Sequence, residues 1–232
     1  MPFLLADSVG KTFRGRRILS SATLRATAGD IRVVFGRNGI GKSTLLKIAG
    51  GIVASDTGIV RVNGSTMLKP TLPQLVRAGV FYLPDHDLLS ANYAVGIQLE
   101  FFERRFGRRS AAEAADIANV RHLLGQRPQT LSGGELRRAE LAAVLARRPD
   151  CLLADEPYRG IAPKDHEALT QIFRTMASEG CAVVVTGHEA PSLMELATHI
   201  TWCTSGTTYE LGTPVAAQKH EAFVREYLTA TR

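Results

Sequence analysis

The chain has 232 residues, of which 45% are hydrophobic, enough for a substantial core in one large domain or a domain with a small satellite lobe. No apolar run approaches the ~18 residues needed to span a bilayer. The start, Met1-Pro2-Phe3-Leu4-Leu5-Ala6-Asp7, lacks the basic region of a secretory signal, so a cytosolic chain is expected. The 28 basic and 22 acidic residues give a net charge of +6, without the dense basic stripe or RNA-binding motif of a nucleic-acid platform, and no nucleic-acid partner is expected.

Phe3 to Ala6, Ile18 to Leu24 and Ile31 to Phe35 read as strands, the last two joined by a turn at Gly29-Asp30. Phe13 lies in a polar loop between the first two. Its ring has the flat apolar surface that stacks on a base, but it also suits a loop anchor, and the residues alone leave both open. Next comes Gly36-Arg37-Asn38-Gly39-Ile40-Gly41-Lys42-Ser43-Thr44, followed by Leu45, Leu46, Ile48 and Ala49 on the apolar side of a helix that ends at Gly50-Gly51. Strand, glycine loop and Gly-Lys-Ser form the P-loop pattern in its required context. Glycines let backbone approach a ligand closely, and successive N–H groups at a helix start make a concave anion site. Lys42 is placed to reach the β- and γ-phosphates, and the Ser43 hydroxyl to ligate Mg²⁺.

Asp56-Thr57-Gly58 reads as a turn, Ile59 to Val62 as a strand, and Asn63-Gly64 as a hairpin. Leu72 to Ala78 is read as a short helix, and Val80 to Leu83 as a strand ending in the polar loop Pro84-Asp85-His86-Asp87. Residues 88–125 change character. Val95, Leu99, Phe102 and Phe106 recur at helical spacing, and Ser110 to Glu113 is a capping box opening a helix to about Leu124. The intervening Arg104, Arg105, Arg108 and Arg109 read as a solvated basic turn. Ser132 and Glu135 form a second capping box, on a helix to about Arg147, and Gly133-Gly134 between them suggests close approach of an anion to the helix start.

Cys151 to Ala154 is a buried strand ending in Asp155-Glu156-Pro157. Alternation sends the two carboxylates to different sides, one fit to hold Mg²⁺ and the other to face a water. Lys164 to Ala177 reads as a helix ended near Gly180. Ala182 to Val185 is a strand leading to His188, at the end where open α/β sheets bind ligands. Leu193 to Ala197, a hairpin around Ser205-Gly206, and a last helix from Pro214 carrying Phe223, Tyr227 and Leu228 complete the chain. Cys151, Cys181 and Cys203 lie in or beside apolar runs and read as buried free thiols.

Together these motifs resemble the nucleotide-binding subunit of an ATP-binding cassette (ABC) transporter over essentially the full length. Gly36 to Thr44 resembles Walker A, Leu131 to Glu135 the cassette signature, Cys151 to Pro157 Walker B, His188 the switch histidine, and Phe13 the aromatic that stacks on adenine. The tail from Gly212 to Leu228 is similar to that of cassettes for branched-chain amino acid uptake or lipopolysaccharide export. The resemblance implies an α/β P-loop NTPase fold with a RecA-like core, an antiparallel β part and a small helical subdomain. Residues 88–125 would form that subdomain, with 1–87 and 126–232 the catalytic core. It further implies an ATPase binding ATP through Phe13, Gly36 to Thr44 and Ser132, Gly133, Gly134 and Glu135. Ser43, Asp85 and Asp155 would hold Mg²⁺, and Glu156, His188 and Lys42 would act in catalysis. The implied assembly is a homodimer or paired ABC subunit around two ATP, driving a separate transmembrane permease from the cytoplasmic face of the inner or plasma membrane. The alternative is a soluble cassette ATPase acting on nucleic acid or the ribosome. Two positions depart from the family pattern: Asp85 stands where a Gln is usual, and Ala162 where an Asp is usual.

Overall fold

The computed structural model describes residues 3–188 and 190–228. Its strands are β1 (Leu4–Phe13), β2 (Arg16–Ala26), β3 (Ile31–Phe35), β4 (Thr57–Val62), β5 (Ser65–Met67), β6 (Val80–Leu83), β7 (Cys151–Ala154), β8 (Ala182–Gly187), β9 (His199–Thr204) and β10 (Thr207–Gly212). The α-helices are α1 (Lys42–Ala49), α2 (Leu72–Arg77), α3 (Val95–Phe106), α4 (Ala111–Ile117), α5 (Gly133–Arg147), α6 (Pro163–Ser178), α7 (Ala190–Leu196), α8 (Pro214–Ala217) and α9 (Glu221–Tyr227). One sheet carries the strands in the order β5-β4-β1-β2-β10-β9-β3-β8-β7-β6. Strands β9, β3, β8, β7 and β6 run parallel, whereas β1, β2, β4 and β5 pair antiparallel. A single parallel pairing, Thr207 with Ser21, joins the two parts through β10 and β2. Among the described residues no helix is long and apolar enough to cross a membrane.

The parallel part is buried on both faces, which is why its strands read as continuous apolar runs. All of β3 is buried. Ile31, Val33 and Phe35 enter a cluster with α5 and α6, while Val34 enters another with Leu45, Leu46 and Ile48 of α1. Val95 and Leu99 of α3 and Ala111, Ala114 and Ala115 of α4 share the first cluster with Ala139, Ala142 and Ala143 of α5, so the helical stretch packs directly on α5. The three cysteines are free and buried, and burial pushes the thiol of Cys181 up to about 12 and that of Cys203 up to about 11.

The local differences from the sequence reading have local causes. Lys11 to Phe13 is strand rather than loop, because Arg14-Gly15 makes the turn and the Asp56 carboxylate holds Lys11 Nζ at 2.8 Å and the Thr12 N–H at 2.7 Å. Thr57 and Gly58 belong to β4. The helix expected to reach Leu124 stops at Ile117, since Asn119 takes a left-handed φ of 52°, and a short 3₁₀ turn (Arg121–Leu123) follows. The expected last helix is two, α8 and α9, the second capped by His220 Nδ1 accepting from the Phe223 N–H at 3.3 Å.

Candidate active site

Because β3, β7 and β8 are parallel, the segments that follow them lie along one sheet edge. The P-loop leaves β3 and enters α1 through Gly41, whose φ of 117° demands glycine and where a built Cβ would come within 2.7 Å of the Leu19 side-chain tip. Phe13, Ile18, Gly39, Gly41, Lys42, Ser43, Thr44 and Glu156 line a cleft of about 220 Å³. Nothing lies within 4 Å of a Cβ built on Gly39, so the cradle is open there. Lys42 is 3% exposed, and its Nζ donates to the Gly36 carbonyl at 2.7 Å and the Arg37 carbonyl at 3.2 Å, with Glu156 Oε1 at 3.3 Å. Arg37, Asn38 and Gly39 are exposed, Ile40 is half-buried, and Arg37 Nε donates to Glu226 of α9 at 3.1 Å. Phe13 stands at the cleft with 43% of its surface exposed and Lys11 Nζ 5.3 Å from the ring centroid. Phe13→Ala is expected to weaken ATP binding by about 1–3 kcal/mol, with Phe13→Trp tolerated. Titration calorimetry checks this, and unchanged affinity in both variants would make the ring a loop anchor only.

Behind the cleft, Asp155 is buried and fully bonded. Its Oδ1 accepts from Ser43 Oγ at 2.9 Å and Thr186 Oγ1 at 2.8 Å, and its Oδ2 from the Tyr82 hydroxyl at 2.8 Å. Thr186 Oγ1 also accepts the Glu156 N–H at 2.9 Å. It thus ties the Asp155 carboxylate to the left-handed backbone of Glu156 (φ 42°), a strain of about 1–3 kcal/mol of the kind that marks functional positions. Burial first, and then the Asp155 charge, push the Tyr82 hydroxyl well above its ordinary pKa, so it remains a donor. Sequence reasoning missed Tyr82 and Thr186. The available signal was a tyrosine in an apolar strand, whose hydroxyl needs a polar partner once buried. The hydroxyl of Ser43 and the carboxylate of Asp155 are hard oxygen donors, a set that fits Mg²⁺.

Asp85 occupies the loop after β6. Its carboxylate meets His86 Nδ1 at 2.7 Å and Arg159 Nη1 at 3.3 Å, so in this structure its partners are a histidine and an arginine rather than Ser43 or Asp155. The loop itself is held from α5. Arg137 Nη1 donates to the Pro84 carbonyl at 2.9 Å and Nη2 to the Asp85 carbonyl, while Glu140 pairs with Arg137 at 2.9 Å and accepts the Leu88 N–H at 3.0 Å. Burial raises the Glu140 pKa and lowers that of Arg137, and each partner's charge opposes the shift. If this loop approaches bound nucleotide, its carboxylate would be repelled by the phosphates and attracted by Mg²⁺. ATPase activity is therefore expected to need about threefold more Mg²⁺ in Asp85→Ala than in the wild type, with Asp85→Gln active and less steep in its Mg²⁺ dependence. Three superimposable Mg²⁺ titrations would remove Asp85 from the metal.

The helix start Ser132 to Glu135 lies outside the lining of this cleft. Its capping box is complete, Glu135 Oε2 accepting from the Ser132 N–H at 2.9 Å and from Ser132 Oγ at 2.7 Å. Of its two glycines, Gly134 has a reason inside the chain, because a Cβ there would meet the Asp165 carboxylate at 2.6 Å. Gly133 stays exposed and has only ordinary contacts. His188 is exposed and shares a small recess with Glu156, Tyr158, Arg159 and Thr186. Ala162 is the N-cap of α6 and offers no side-chain cap. Ala162→Asp is expected to stabilise the chain by about 0.5–1 kcal/mol through a new cap, read as a raised Tm. An unchanged Tm would mean the added carboxylate does not bond the helix start.

The comparisons with known proteins follow the same outline. Residues 19–159 match the ABC transporter family. The chain is 29% identical over 235 residues to the lipopolysaccharide export system ATP-binding protein LptB of Escherichia coli, covering 98% of each. It is 34% identical over 215 residues to the zinc import ATP-binding protein ZnuC of Chelativorans sp., covering 91% of this chain and 71% of the relative. In fold it is similar to the ADP conformation of MJ1267, an ATP-binding cassette of an ABC transporter, with a TM-score of 0.86 at 18% identity over 99% of both chains. With the P-loop, the paired carboxylates and the cassette sheet in one chain, the protein belongs to the ABC transporter family as one of its ATP-binding cassettes, an ATPase.

Proposed function

We propose that this cassette powers a membrane transporter. Two copies, or this chain and a paired cassette, close around two ATP, and a separate transmembrane permease is driven by their opening and closing. The observation that carries the reading is the convergence of Lys42, Ser43, Asp155, Thr186 and Glu156 on one sheet edge. The helix start at Ser132, Gly133, Gly134 and Glu135 is absent from the cleft of its own chain and would complete the cleft of the other. Ser43 and Asp155 would hold Mg²⁺, which supplies charge neutralisation on the phosphates. Glu156 orients and polarises the attacking water, and Lys42 and His188 stabilise charge on the transferred phosphoryl group.

Residues 88–125 are assigned the helical subdomain, with 1–87 and 126–232 the catalytic core. The permease contact is supported by the exposed apolar residues Tyr93, Ile97 and Phe101, at 58%, 59% and 61% exposure, and such a contact would put the chain on the cytoplasmic face of the inner or plasma membrane. Purification of the tagged chain from detergent-solubilised membranes tests this. Recovery of a polytopic membrane protein with nucleotide-dependent ATPase activity is expected. Recovery with ribosomes or nucleic acid instead would favour the soluble cassette.

A further inference from the structure

We propose that a second site, specific for a phosphate group, lies at the N-terminal edge of the parallel strands, in the basin lined by Arg77, Arg105, Arg108 and Arg147. Gly79 and Asp150, which immediately precede β6 and β7, form its floor, so the basin sits at the sheet edge opposite the P-loop and shares no lining residue with the ATP cleft. Its volume is about 300 Å³, room for a phosphate ester with a small attached group.

The charges are unbalanced. Four arginines and one carboxylate, Asp150, line the basin, and that carboxylate is already paired with Arg108 at 3.1 Å. Among the described residues, Arg77, Arg105 and Arg147 have no carboxylate partner within ion-pair distance. Arg147 is the fixed member. It is 4% exposed, lies 5.2 Å from the Phe81 ring centroid and 4.8 Å from that of Phe106, and donates through Nη2 to the Val76 carbonyl at 2.8 Å. Its Nε–H is buried without an acceptor, an unmet donor in a protein interior that ordinarily leaves few. Burial and then the charge of Arg108 hold its pKa below the ordinary arginine value, and an incoming anion relieves that repulsion.

The adjoining lobe makes the contrast. It is lined by Arg108, Arg109 and Arg148, but there Glu179 takes Arg109 at 2.5 Å and Arg148 at 3.8 Å, and Glu113 takes Arg109 at 3.1 Å, so its charge is already neutralised within the chain. The unmatched positive field belongs to the first lobe. Guanidinium forks favour the multiple oxygens of a phosphate, and the phosphate can come from a lipid headgroup or from a soluble compound.

The test uses the full chain with its P-loop filled by saturating ADP. Inorganic pyrophosphate is titrated calorimetrically, and co-sedimentation is measured with vesicles of phosphatidylcholine, with and without phosphatidic acid. Saturable pyrophosphate binding is expected, weakened about tenfold or more in the Arg77→Glu/Arg105→Glu variant and also in Arg147→Lys, which keeps the charge and loses the fork. Both substituted surface arginines are exposed, so the double variant is expected to fold and to keep its ATPase activity. Retention on phosphatidic acid vesicles that pyrophosphate displaces would assign the phosphate to a lipid headgroup; pyrophosphate binding without retention would assign it to a soluble compound. The proposal is overturned by absence of saturable binding for both probes, by a double variant that binds as the wild type does, or by polyglutamate competing as well as pyrophosphate does.

Discussion

Lys42→Ala is expected to weaken ATP binding by about a hundredfold or more. The ammonium is buried, and every neighbour within bonding reach is an oxygen: the carbonyls of Gly36 and Arg37 and Oε1 of Glu156. These contacts hold the donor at the floor of the cleft before nucleotide arrives. The β- and γ-phosphates would then take the place of the Glu156 carboxylate, exchanging an ion pair for stronger, less hydrated charge-assisted bonds. Each such bond is worth about 1.5–3 kcal/mol, and two together exceed the ~2.8 kcal/mol that corresponds to two decades of affinity. Alanine also leaves the Gly36 carbonyl buried without its donor, so Lys42→Met, which keeps the aliphatic stem, separates lost packing from lost charge. Calorimetric titration with ATP and Mg²⁺ measures both variants. Affinities within about threefold of wild type would mean that Lys42 does not reach the phosphates.

The parts of this site legible in the sequence are those built by neighbours in the chain. Gly36 to Thr44 declares its loop because strand, glycines and helix are consecutive, and Asp155-Glu156 declares itself because carboxylates at the end of Cys151 to Ala154 break an apolar run. What could not be read was the bonding between distant segments. The Tyr82 hydroxyl reaches Asp155 only because β6 and β7 pair in parallel with Tyr82 opposite Leu153. Arg137, placed on the apolar side of a helix by its spacing, holds the Asp85 loop from within because Glu140 shares its burial. The same limit explains Gly134, where the carboxylate that excludes a Cβ belongs to a helix thirty-one positions further on, at Asp165. Phe13 illustrates a different gap. Its residue type fitted two roles, and only the course of β1 and β2 to the mouth of the P-loop cleft puts the ring there.

Glu156→Gln is expected to leave ATP binding intact or tighter while turnover falls by about 10²–10⁴. Gln keeps the length and shape of the side chain, and the backbone at φ 42° remains held by the Thr186 hydroxyl on its N–H, so the local geometry survives. What disappears is a carboxylate able to draw a proton from water. In the free protein the substitution also removes the negative charge 3.3 Å from Lys42 Nζ, and so weakens one competitor for the ammonium that ATP would recruit. Binding and chemistry therefore move in opposite directions, which a variant that merely misfolds cannot produce. Because the proposed second half of each site comes from another chain, unhydrolysed ATP would hold two chains together. Sedimentation should show 25.1 kDa without nucleotide and twice that mass with ATP and Mg²⁺, the wild type remaining at the lower mass as it turns ATP over. A mass that does not respond to ATP in Glu156→Gln would count against the two-chain site. Undiminished turnover would take the water-activating role away from Glu156.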